Sequence, residues 1–120
     1  MRVTRIIHVI LLALPISCLA TEYEDFKRAV QNGKESEVIR EFLDTSKIRY
    51  KYYTCEEAKK IISSEPTECK NENSVGIYKG IANDGSYMLG IGSSDVSFQI
   101  EIDSNQKAVD IRTRYVYTFL

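Results

Sequence analysis

Val96-Ser97-Phe98-Gln99-Ile100-Glu101-Ile102-Asp103 and Val109-Asp110-Ile111-Arg112-Thr113-Arg114-Tyr115 decide the fold. In each stretch apolar and polar residues alternate with period two, the pattern of a strand with one buried face. Asp103 to Lys107 is a polar joint between them, so the two predict an antiparallel hairpin. Matching the apolar faces pairs Ile102 with Val109 and Ile100 with Ile111; a slip of one residue would turn every buried side chain outward. The same register sets Glu101 opposite Asp110, an unfavourable like-charge pair, with Arg112 placed diagonally to offset it. Here both acids are read as solvated.

Working back toward the N-terminus, period two already holds from Val75. Val75 to Ala82 and Tyr87 to Gly92 flank Asn83-Asp84-Gly85, which reads as a hairpin turn. Lys70 to Ser74 is a polar surface loop, and Ile48 to Tyr53 an earlier strand. Two helical stripes precede it. Tyr23, Phe26, Ala29 and Val30 give one apolar face over Tyr23 to Gln31, closed by Asn32-Gly33. Val38, Ile39, Phe42 and Leu43 do so over Glu35 to Asp44. Thr54-Cys55-Glu56-Glu57 matches a capping box and predicts a third helix to Ser63, with Ala58, Ile61 and Ile62 inward. Pro66 bars its continuation. The expectation is an α+β fold: short helices packed on one face of a four- to five-stranded antiparallel meander. Residues 21–120 form a single exported domain in this reading.

The first twenty residues carry an address. Met1-Arg2-Val3-Thr4-Arg5 is basic, Ile6 to Ile16 is almost wholly apolar, and Ser17-Cys18-Leu19-Ala20 ends in small residues. That is the layout of a secretory signal, and the apolar run falls short of the roughly 20 residues a spanning helix needs. Cleavage after Ala20 is the favoured reading. Ser17-Cys18 also resembles the end of a lipobox, with Pro15 where leucine is usual, so lipidation of Cys18 and a membrane tether form the alternative. The location is thus periplasmic or secreted, or membrane-anchored as a lipoprotein.

Loss of residues 1–20 removes Arg2, Arg5 and the sole histidine, His8, and leaves 14 basic against 17 acidic residues, a net charge of −3. That balance argues against nucleic acid as a partner, which demands a concentrated basic face. Cys55 and Cys69 are then the remaining cysteines, and an exported pair is expected to bridge. Closing that loop stabilises by about 3 kcal/mol in the chain-entropy estimate. A tetrahedral zinc site would need ligands beyond this pair, with no histidine to supply them.

Chemistry-bearing patterns are few. Without histidine no Ser-His or Cys-His pair assembles. Gly90-Ile91-Gly92-Ser93 lacks the Lys-Ser/Thr ending of a phosphate loop and reads as strand relief. Asp84, Asp95, Glu101, Asp103 and Asp110 sit in turns or on polar strand faces, where carboxylates are ordinarily solvated. The expectation is therefore no enzyme, no cofactor and no metal. Eight tyrosines and no tryptophan are the unusual feature. Most suit half-buried sheet positions. Tyr53 and Tyr78 are read on the polar side of their strands near Arg49, Lys51 and Lys79, and tyrosine with arginine is enriched where proteins bind proteins. These five residues form the expected partner-binding face.

Asp25 to Leu43 (DFKRAVQNGKESEVIREFL), with Gly33, Val38, Phe42 and Leu43, resembles the helix–glycine–helix start of small bacterial envelope lipoproteins of the SmpA/OmlA type. Val96 to Leu120 is similar to their sheet half. The chain departs from them in its Cys55–Cys69 segment, its third helix and its lipobox. The resemblance implies a non-catalytic envelope protein that binds other proteins, and it carries over no functional residue. The expected partner is another envelope or secreted protein, met by an inhibitor, an immunity-type protein or an assembly accessory. A carrier of a small apolar ligand is the alternative.

Overall fold

In the computed structural model, residues 21–63, 65–87 and 92–119 are described. The leader read at residues 1–20, including Cys18, lies outside the described residues, as do Gly90 and Ile91. Thr21 starts helix α1 (Glu22–Ala29): its hydroxyl accepts from the Glu24 amide at 3.2 Å. Glu22, Glu24 and Asp25 crowd the first turn, where the helix dipole favours negative charge. The helix ends sooner than its stripe suggested because Val30 is extended, yet Val30 still joins Tyr23 and Phe26 in the core. Helix α2 (Ser36–Thr45) buries Ile39 and Leu43, while Val38 stays half-exposed at the margin of the stripe.

Strands β1 (Arg49–Thr54), β2 (Ser74–Tyr87), β3 (Gly92–Asp103) and β4 (Ala108–Phe119) form one antiparallel sheet in the order β1-β2-β3-β4. The fold is α+β, as the alternation implied. The core lies between α1, α2 and one sheet face. Phe26, Ile39 and Leu43 are buried there with Tyr78, Val96, Phe98, Ile100 and Ile102, and the Phe26 and Phe98 rings lie 4.6 Å apart. Gly80 on this face leaves room for the Phe98 ring, whose tip would stand 2.7 Å from a Cβ placed there.

Three expectations are corrected. Asn83-Asp84-Gly85 is no hairpin turn: β2 runs through it, with a bulge between Asn83 and Gly85. The features that signalled a turn serve the bulge, because Gly85 takes φ +108° and its amide donates to Asn83 Oδ1 at 2.9 Å. The last hairpin pairs Ile100 with Ile111 and Glu101 with Asp110 as argued, but a second bulge sets Ile102 opposite Ala108 and leaves Val109 out. Helix α3 (Cys55–Ala58) is one turn long. Its capping box forms in full between Thr54 and Glu57, and Ala58 is buried. The chain then leaves the helical path, so Ile61 is only half-buried and Ile62 is 101% exposed. Cys55 and Cys69 form a disulfide, with Cα atoms 5.6 Å apart.

Candidate functional site

The segment from Glu65 to Asn73, tied by that disulfide at Cys69, is a strap across the sheet face opposite α1 and α2. Strand alternation puts Asp95, Ser97, Gln99 and Glu101 of β3 on this second face. Three of them are buried beneath the strap: Glu101 is 0% exposed, Gln99 1% and Ser97 7%. Glu101 Oε1 accepts from the Asn71 amide at 2.7 Å and from Ser74 Oγ at 2.5 Å. Its Oε2 accepts from Arg112 at 2.8 Å. Arg112 also donates to Asp110 at 2.6 Å, to the Glu68 carbonyl at 2.8 Å and to Gln99 Oε1 at 3.2 Å. Gln99 Nε2 donates to the Pro66 carbonyl at 3.1 Å, and Ser97 Oγ to Glu65 at 3.2 Å.

Burial opposes a charge on Glu101, but the bonds from Ser74, Arg112 and the Asn71 and Lys70 amides outweigh it and hold its carboxyl down to about 2. A carboxyl so firmly ionised, with its oxygens engaged, is a poor proton carrier. No buried side-chain polar atom lacks a partner among the described residues. The seam therefore holds the strap down. Arg112 was expected beside Glu101 and is there; the full burial of Glu101 was not expected.

Beyond the strap this face opens into a groove of about 600 Å³ between β1 and β2. Lys47, Arg49 and Lys51 line one wall, Lys79 and Ile81 the other, and Asn83 and Asp95 close one end with Glu22. The register sets Lys51 opposite Lys79 and Arg49 opposite Ile81. Lys79 Nζ donates to Thr67 Oγ1 of the strap at 2.7 Å, which fixes that ammonium beside the groove. The Lys51 ammonium lies over the Tyr53 ring, 5.4 Å from its centre. The Arg49 guanidinium has no ion-pair partner among the described residues. The two acids at the far end are both engaged with Asn83: Glu22 accepts from its amide at 3.0 Å and Asp95 from its Nδ2 at 3.0 Å. Tyr50 runs beneath β1 and donates to Asp44 at 2.6 Å; burial and then this bond push its pKa up to about 12, so it stays a donor.

Of the five residues expected to form a partner face, the structure brings together Arg49, Lys51, Tyr53 and Lys79. Tyr78 is corrected. It stands opposite Tyr52 and Ile100, on the α1–α2 side, 4% exposed, with its hydroxyl 2.9 Å from Ser36 Oγ. The misreading has a cause in β2, where Ile77, Tyr78, Ile81 and Ala82 place apolar residues in both phases. Ile81 was missed for the same reason; an isoleucine in phase with Lys79 was the available signal. Among the described residues no group of three or more histidine, cysteine or acidic side chains is arranged to hold a metal ion. Comparison with protein-family models, curated proteins and solved structures returned no match.

Proposed function

We propose that the chain is a small, non-enzymatic exported protein that acts by binding another envelope or secreted protein through the outer face of β1 and β2. The observation that carries this reading is the open groove lined by Arg49, Lys51 and Lys79, with the Tyr53 ring packed under the Lys51 ammonium. Aromatic and guanidinium groups on a rigid sheet favour protein contact, because little side-chain entropy is lost on binding. The Cys55–Cys69 disulfide suits the oxidising compartment to which the leader would direct the chain. The likeness of residues 25–43 to small envelope lipoproteins points the same way. An inhibitor or an assembly accessory fits a compact, stapled, net acidic body of this kind.

The test is affinity capture from an envelope extract, followed by reconstitution of the captured protein with purified chain. A one-to-one complex on size-exclusion chromatography is expected. Absence of a stoichiometric partner, with a lipid or small molecule copurifying instead, would replace this reading by that of a ligand carrier. N-terminal sequencing of the exported form is expected to begin at Thr21; an acylated Cys18 would place the same protein on a membrane surface.

A further inference from the structure

We infer that the β1–β2 groove takes a short extended segment of a partner protein carrying two carboxylates two residues apart. This rests on the protein-binding reading above and names the chemistry that the groove selects. The cations are spread along the strand and do not converge on one point. Arg49 and Lys51 are neighbours on one face of β1, so their side chains recur at about 7 Å, the repeat of alternate residues in any extended chain. A partner strand laid along the groove would present its own alternate side chains at that spacing. One carboxylate would enter between Lys51 and Lys79. These stand directly opposite each other, a like-charge pair that is unfavourable until an anion lies between them. The second carboxylate would reach Arg49, its stem resting on Ile81, which is 53% exposed.

The far end of the groove decides against other polyanions. Glu22 and Asp95 line it, and both accept hydrogen bonds from Asn83, which holds their oxygens in place. A nucleic acid, a polyphosphate or a sulfated glycan continuing along the groove would drive further anionic groups into those carboxylates. A peptide with a local acid pair followed by neutral residues would not. Lys79 adds pre-organisation, since its bond to the buried Thr67 spares part of the ordering cost of binding.

The experiment is a titration of isotope-labelled protein with an acetylated, amidated peptide Ser-Glu-Thr-Glu-Val-Ser, read by backbone amide shifts. Saturable shifts centred on Arg49, Lys51, Lys79 and Ile81 are expected. The double variant Arg49→Gln/Lys51→Gln is expected to weaken binding about tenfold or more, through loss of two exposed charges that the fold does not need. Lys27→Gln/Arg28→Gln on α1 is expected to leave it unchanged. An isomeric peptide with adjacent glutamates should bind less tightly, and so should heparin and polyphosphate. Shifts elsewhere, equal affinity for the isomer, or tighter binding of either polymer would overturn the inference. If the captured partner binds Arg49→Gln/Lys51→Gln as tightly as wild type, the groove assignment fails and protein binding stands. If the peptide behaves as stated and no protein partner exists, the groove chemistry stands and the broader reading falls.

Discussion

On one face of the sheet Phe98, Ile100 and Ile102 meet α1 and α2; one residue along the same strand, Gln99 and Glu101 meet the strap. At these residues both faces are shut to water, by different physics. The helix side is held by area: aromatic and aliphatic side chains whose stabilisation grows with surface buried, at about 25 cal/mol per Å², and tolerates small shifts. The strap side holds a carboxylate, a guanidinium, an amide and a hydroxyl, each needing a partner at hydrogen-bond distance. Burial there costs free energy unless every bond is made, so that side acts as a lock more than as a store of stability. The difference explains the disulfide. A strap with little apolar area to bury cannot offset its own chain entropy, and the Cys55–Cys69 tie reduces that cost in the unfolded chain.

The comparison breaks most visibly at Phe98. Phe98→Ala should cost about 4 kcal/mol and lower the whole denaturation curve, since the cavity opens in the shared core. Chemical denaturation at neutral pH measures it; a loss under about 1 kcal/mol would mean that the helix side is not the main support. On the strap side, Arg112→Leu should cost about 3 kcal/mol by leaving Glu101 buried without its cation. The double variant Glu101→Leu/Arg112→Leu should recover most of that loss. Equal costs for the single and double variants would show that the seam contributes ordinary packing and no ionic lock.

Replacing both cysteines by serine should cost about 3 kcal/mol. It should raise amide exchange in residues 65–73 while Phe98 and Ile100 stay protected, which hydrogen-exchange mass spectrometry resolves. Uniform loss of protection would erase the distinction between the two sides. Acid sharpens it further. Glu101 sits at about 2 when folded against an ordinary 4.5, so the folded state favours the ionised form. Its contribution is fully present above about pH 4.5 and fades as pH falls toward 2, amounting to about 3 kcal/mol. Arg112→Leu should flatten this slope, and Phe98→Ala should not. The smallest effect is expected at Thr54→Ala, about 1 kcal/mol, from loss of the capping box that starts α3.

Much of this was legible in the residues. The hydrogen-bonding habits of Thr54 and Glu57, the stripe of Ile39 and Leu43, and the pairing of Ile100 with Ile111 all follow from neighbours a few positions apart, which a linear reading sees directly. Arg112 beside Glu101 followed from register alone. Other features escaped because they depend on what crosses a strand from afar. Ser97, Gln99 and Glu101 carry the polar phase of β3 and read as solvated; they are buried because residues 65–74, brought over by a distant disulfide, supply partners for their polar atoms. Tyr78 could face either way by its own strand, and its partners Tyr52, Ile100 and Ser36 turn it inward. Asn83-Asp84-Gly85 offers the same positive φ to a turn or a bulge, and β3 selects the bulge by pairing on both sides of it. Local periodicity sets which element forms and which residues share a face. Whether a face meets water, helix or strap is an energy of contacts between segments far apart in the chain, and the fold alone supplies it.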